Sequence, residues 1–274
     1  MKQTITFPGL GLKFQISKVA FTIFGLPVYK YAICIVIAIV IALVLMKFRK
    51  NTYGIKYEDV LKCAIFTIVF GTIGARLFYV IFNMGYYIHH IGEIFNLKSG
   101  GLAIYGGIIA GLATIAVYCK KSKIDVLDML DFISPYVILG QAIGRWGNFF
   151  NGEVFGTPTN LFLRMGLETA DGFKEVHPLF LYESILCLAI FIFLLVFQSR
   201  RRYKGQIFLY YMGSYAIVRF VLESIRAESE TLMVGNQRVS QLVSAFIIIT
   251  VFAYFYYRGR YIDKPKDTKE EVKK

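Results

Sequence analysis

Seven apolar runs, each about 20 residues long, recur along this 274-residue chain, and a run of that length crosses the hydrocarbon core of a bilayer as a helix. They are Val28–Met46, Val60–Asn83, Gly101–Tyr118, Asp125–Phe150, Pro178–Phe197, Gln206–Ile225 and Val239–Tyr257. Within lipid every backbone polar group needs an internal partner, so runs of this kind predict helices. The expected fold class is all-α, a polytopic membrane protein with seven transmembrane helices. The segments between runs alternate in charge. One side collects 19 Lys and Arg and the other 8, which puts the N-terminus outside and the C-terminus in the cytoplasm. Three regions follow: an extracytoplasmic segment at 1–27 lying on the membrane surface, a transmembrane domain at 28–260, and a solvated basic tail at 261–274.

The first run lacks a charged leader and a small-residue cleavage site, so no removable signal peptide is expected. The net charge of +13 would suit nucleic acid in a soluble protein. Here the basic residues sit at loop ends and read as topology signals, and no nucleic-acid partner is expected. Cys34, Cys63, Cys119 and Cys187 lie in or beside apolar runs without ligand spacing and read as buried apolar residues. His89 and His90 are adjacent in a loop and His177 stands alone. Neither a metal nor a cofactor is expected.

Polar residues are concentrated where apolar runs should exclude them. The stretch Gly140–Gly156, GQAIGRWGNFFNGEVFG, holds Gln141, Arg145, Asn148, Asn151 and Glu153. An arginine at membrane depth costs about 2.5–3.5 kcal/mol on insertion scales unless it finds a partner or water. At a helical rise of about 1.5 Å per residue, Arg145 lies about 30 Å along the fourth run from its cytoplasmic end, Arg219 about 20 Å along the sixth and Arg76 about 24 Å along the second. Lys30, Tyr31, Tyr105, His177 and Glu183 reach the same outer half from runs that enter at the other side. Counting Lys30, Arg76, Arg145, Arg219 and Arg226 against Glu153, Glu183 and Glu223 gives a positive site. Such a site suits the phosphate of an anionic phospholipid head group. The pairs Gly100-Gly101 and Gly106-Gly107 predict either close backbone approach or a break in the third helix.

These residues carry a resemblance. GRWGNFFNGEVFG at 144–156, HPLFLYES at 177–184, GGLAIYGG at 100–107 and RFVLESIR at 219–226 resemble the bacterial prolipoprotein diacylglyceryl transferase family. The resemblance implies an inner-membrane enzyme with its active site toward the outer leaflet. Its reaction moves the diacylglyceryl group of phosphatidylglycerol to the lipobox cysteine thiol of a preprolipoprotein signal peptide, forming a thioether and releasing glycerol-1-phosphate. It also implies Arg145 and Arg219 as catalytic residues, with Tyr105 beside them. Tyr31, Arg76, Asn148, Glu153, Gly156, Glu223 and Arg226 are expected to bind substrate. Asp131, His177 and Glu183 are expected in secondary or structural roles.

Tyr105 departs from the family pattern, where many members carry histidine. A histidine near neutral pKa is a natural base and a tyrosine near 10 is not. Three readings follow: neighbouring arginines ionise Tyr105, the base lies elsewhere, or proton removal needs no dedicated side chain. The favoured reading gives Tyr105 a hydrogen bond to substrate. Two other classes compete with the enzyme. An organic-anion transporter would show internal repeats and a midplane site, and neither is read here. A non-catalytic anionic-lipid-binding protein would keep the cationic pocket but need no access for a protein thiol.

Overall fold

A computed structural model describes residues 2–49, 52–96, 100–169 and 172–261. Lys50 and Lys98, two of the topology charges, and the expected tail from residue 262 onward lie outside the described residues. Each apolar run is a helix whose ends fall within a few residues of the expected ones. These are α1 Lys30–Phe48, α2 Tyr57–Phe82, α3 Ile104–Ser122, α4 Val126–Asn151, α5 Leu179–Gln198, α6 Gln206–Ser224 and α7 Val239–Tyr261. Six of them, all but α6, are long and apolar enough to cross a membrane. In α6 the residues Gln206, Tyr210, Tyr211, Tyr215, Arg219 and Glu223 lower the mean hydropathy.

The chain is mostly helical but not all-α, which corrects the expected fold class. Strands β1 Lys2–Phe7, β2 Leu12–Ser17, β3 Val19–Ile23 and β4 Leu26–Tyr29 occupy the segment before α1. Strands β5 Met165–Thr169 and β6 Gly172–Val176 lie between α4 and α5, and a short hairpin, β7 Met233–Val234 and β8 Gln237–Arg238, precedes α7. The physical reason is period-two alternation in KQTITF and its partners. Four strands form one antiparallel sheet in the order β2-β1-β5-β6, with Ile5 opposite both Phe14 and Leu167. One sheet face buries Ile5, Phe7, Ile16, Met165, Leu167 and Val176 against Phe149 at the end of α4 and Phe180 at the start of α5. Each such side chain contributes about 1.5–3 kcal/mol on burial. The sheet is thereby fixed to the two helices that carry Arg145 and Glu183.

Two compact units divide the chain. One comprises Met1–Ala42, Ser134–Arg202 and Gln206–Lys274, and the other Leu43–Ile133 with Tyr203–Gly205. In the first, Ile138 and Ala142 of α4 pack with Cys187, Ile190 and Leu194 of α5 and Ile207 of α6. Ser184 Oγ donates to Ala142 O at 2.9 Å within that interface. In the second, α2 and α3 approach along small residues. A Cβ added at Gly74 would stand 3.0 Å from Gly106 O, and one at Gly107 would stand 3.5 Å from Ala75 Cβ. The second glycine pair thus serves helix contact, whereas Gly100 (φ +81°) and Gly101 (φ +76°) shape the turn before α3. Asp125 caps α4 by accepting from Leu127 N and Asp128 N. Lys204 joins Asp125 and Asp128 at 2.8 and 3.2 Å, and buried Asp131 accepts Gly205 N–H at 2.7 Å.

Candidate active site

Helical spacing assembles the polar site of the first unit. Residues four apart on a helix stack on one face. Gln141, Arg145 and Asn148 therefore share a face of α4, while Tyr211, Tyr215, Arg219 and Glu223 share a face of α6. Gln141 Nε2 donates to Tyr211 Oη at 3.2 Å, and the Tyr211 and Tyr215 rings are stacked. Glu183 of α5 stands where the two faces meet. Its Oε1 accepts from Arg145 Nη2 at 2.6 Å and from Tyr215 Oη at 3.0 Å, and its Oε2 lies 3.6 Å from Arg219 Nη1. Glu223 Oε2 lies 2.7 Å from Arg219 Nη2 and 3.5 Å from Arg226 Nη1.

Burial differs sharply between the two kinds of charge. Both carboxylates are 1% exposed, whereas the side chains of Arg145, Arg219 and Arg226 keep 20%, 17% and 14% of their surface open. Buried carboxylates thus grip the three arginines, whose side chains keep part of their surface accessible. Breaking such a buried pair by removing one partner costs about 3–5 kcal/mol, because the remaining charge stays desolvated.

The segment after α4 extends the lattice. Arg145 Nη1 donates to Asn148 Oδ1 at 3.4 Å, and Asn148 Nδ2 donates to Glu153 Oε1 at 2.9 Å. Asn151 Nδ2 donates to the same oxygen at 3.1 Å. The turn that presents Glu153 uses left-handed backbone at Gly152 (φ +62°) and Val154 (φ +59°). That conformation is unfavourable for a β-branched residue. Gly156 N–H then donates to His177 O, Thr157 N–H to Ile225 O, and Ala227 N–H to Phe155 O. A Cβ at Gly156 would stand 2.6 Å from His177 Cβ and 2.8 Å from Ile225 O, so only glycine fits between them. Tyr31 packs its ring on Gly147, where a Cβ would come within 2.5 Å of it. His177 Nδ1 lies 3.4 Å from Tyr182 Oη, and burial holds its pKa below the ordinary imidazole value.

Arg76, Tyr105 and Asp131 belong to the second unit. Arg76 corrects an expectation. Its Nε donates to Ile94 O, its Nη1 to Gly100 O and Gly101 O, and its Nη2 to Glu93 O and Asn96 O. A guanidinium has five N–H donors, so none is left for a phosphate. Arg76 is a clasp for the turn leading to α3. Tyr105 is the second residue of α3, directly after that turn. The charge surplus expected of the site shrinks accordingly: around Arg145 three arginines face three glutamates, and Lys30 lies over the Phe150 ring at 5.0 Å.

Three contributors were not among the expected site residues. Tyr215 joins Arg145 to Glu183, and its spacing of four from Arg219 was the available signal. Asn151 lay inside the polar stretch. Arg238, which donates to Glu223 O from the hairpin before α7, carried no local signal. Among the described residues no group of three or more His, Cys, Asp or Glu side chains is arranged to hold a metal ion.

Six helices long and apolar enough to cross a membrane, together with partly exposed arginines held by buried carboxylates in the first unit, mark a mostly helical protein of the membrane-spanning class. A family model described as prolipoprotein diacylglyceryl transferase matches residues 18–257. A Finegoldia magna protein named phosphatidylglycerol--prolipoprotein diacylglyceryl transferase is 45% identical over 234 residues, covering 85% of this chain and 92% of that protein. Proteins of the same name from Clostridioides difficile and Lactobacillus acidophilus are 42% and 36% identical, with 88% and 93% of this chain and 95% and 94% of theirs aligned. The chain belongs to the prolipoprotein diacylglyceryl transferase family.

Proposed function

We propose that this protein is a phosphatidylglycerol–prolipoprotein diacylglyceryl transferase of a bacterial cell membrane. It spans the membrane seven times, α6 included, with the N-terminus outside, the C-terminus in the cytoplasm and the active site toward the outer leaflet. The observation that carries the reading is the trio Arg145, Arg219 and Arg226, partly open to a ligand and held by Glu183 and Glu223 at 1% exposure.

The chemistry follows from that trio. The acceptor cysteine loses its proton, and the thiolate attacks the glycerol carbon that bears the phosphate. A C–S bond forms, the C–O bond breaks, and glycerol-1-phosphate leaves with the bonding electrons. Guanidiniums fixed before the reaction stabilise the charge that grows on the leaving phosphate, and an arginine beside the cysteine favours the thiolate over a thiol of ordinary pKa near 8.5. Arg145 and Arg219 carry this role, the one anchoring phosphate and the other steadying the departing charge. Asn148, Glu153, Gly156, Glu223, Arg226 and Tyr31 shape the substrate site around them, and Tyr105 offers its hydroxyl to substrate. Glu183, His177 and Asp131 support the frame, and Arg76 joins them in place of a substrate contact.

Purified protein, phosphatidylglycerol and a lipobox peptide test the reading. Glycerol phosphate release together with a diacylglyceryl mass gain on the peptide is expected, both lost when the peptide cysteine is replaced by serine. Lipid binding without either product would move the protein to the non-catalytic class.

A further inference from the structure

The sheet has a second face that the site does not use. Strands β1, β2, β5 and β6 turn Thr4, Thr6, Lys13, Ser17, Glu168 and Phe173 away from the Ile5–Leu167 core. This face lines a groove of about 1190 Å³ that is also bounded by Gln3, Tyr29 and Phe150. Its volume exceeds the roughly 300–1,000 Å³ of ordinary small-molecule pockets.

The groove borders the end of α4. Phe150 is the penultimate residue of α4, two positions beyond Asn148. Gln3 donates to Glu168 O at 3.1 Å, and its side-chain amide would meet a Cβ placed on Gly152. One sheet edge is occupied, because Pro158 bridges to Val176 and Thr159 N–H donates to Glu175 O beside β6. Among the described residues no strand pairs with the outer edge of β2.

Resting on the transferase reading, we propose that this groove receives the extended segment of the acceptor polypeptide that follows its reactive cysteine. The chemistry of the lining favours a peptide. Thr4 presents a hydroxyl, and Ser17 Oγ, which donates to Val19 O, keeps acceptor capacity for a backbone N–H, while Tyr29, Phe150 and Phe173 add aromatic side chains to the lining. An open strand edge adds the main-chain pairing by which extended peptides bind sheets. Phe150 lies about 7.5 Å farther along the axis of α4 than Arg145, a separation that takes an extended chain at least about two to three residues to cover. With the cysteine at the guanidiniums, the third and later following residues are the first that can reach the groove. The apolar part of the signal peptide precedes the cysteine and stays in lipid.

Two acceptor peptides separate this proposal from the reading beneath it. Both carry the apolar segment and the cysteine; one ends about two residues later, and the other continues for about ten. The expected result is a KM about ten-fold lower for the long peptide, equivalent to about 1.4 kcal/mol. Thr4→Trp, which fills the groove, and Phe173→Ala, which strips a half-exposed ring from it, should each erase that advantage. Turnover of the short peptide, which reports correct folding, should stay within about two-fold in both. Equal KM values for the two peptides with wild-type protein, or an advantage that survives Phe173→Ala and Thr4→Trp, overturns the docking proposal. Should Thr4→Trp lose both peptides through misfolding, Phe173→Ala alone decides. Absence of any transfer by wild-type protein sinks the transferase reading instead, and the docking proposal with it.

Discussion

Glu183 holds Arg145 at 2.6 Å from a position only 1% exposed, while the arginine side chain keeps a fifth of its surface open. One carboxylate thereby aims a cation without covering it. The same Glu183 reaches Arg219 and accepts from Tyr215, so two helices besides its own depend on it.

Removal of that carboxylate should damage the frame before it damages chemistry. Glu183→Ala leaves Arg145 desolvated and is expected to cost about 3–5 kcal/mol. Thermal unfolding in detergent measures this, and an unchanged midpoint would mean that the pair is not buried as described. Tyr215→Phe removes two hydrogen bonds, one accepted from Arg145 and one donated to Glu183, of about 1 kcal/mol each, and should leave the fold intact.

Arg76 provides a contrasting case. Arg76→Lys cannot reproduce five donors directed at Glu93, Ile94, Asn96, Gly100 and Gly101. The expected outcome is faster amide exchange in the turn before α3, with phosphatidylglycerol affinity preserved. Weakened lipid binding with unchanged exchange would return Arg76 to the substrate.

How much of this was legible follows from where each signal resides. Helix positions could be read because apolar length is a local property, and Val239–Tyr257 already locates α7. The sheet could not, because β1 pairs with β5 across a stretch of chain that contains α1 to α4, and short alternation does not name its partner. Arg145, Glu183, Arg219 and Glu223 were legible through depth and helical period. Arg76 was misread for a related reason: depth counts place a guanidinium but do not say which carbonyls already occupy it. Those carbonyls depend on left-handed Gly100 and Gly101, a loop conformation that composition suggests only in outline.

His177 sets a pH dependence of stability. Burial lowers its pKa from the ordinary 6.5, so the folded protein takes up this proton at lower pH than the unfolded chain does. Below about 6.5 the unfolded state binds more protons, and stability falls as the pH drops through that window. Above it the contribution is complete. Unfolding midpoints between about pH 5 and 8 should show this slope, and His177→Gln should flatten it. An identical slope in both proteins would assign it to other groups.

Tyr105 separates binding from proton transfer. Tyr105→Phe should reduce turnover by about ten-fold, the loss of one hydrogen bond to substrate of about 1.4 kcal/mol, without changing the shape of the pH–rate profile. Full activity would remove Tyr105 from the mechanism. A shifted profile would make it the base.

The most direct measurement is turnover by Arg145→Lys and Arg219→Lys, read as glycerol phosphate release and peptide mass gain. Lysine keeps the charge but loses the planar fork that meets both carboxylate and phosphate. The account predicts that both variants stay folded and that each loses about 100-fold or more in turnover. Near-normal turnover in both would contradict the claim that carboxylate-held guanidiniums drive the transfer.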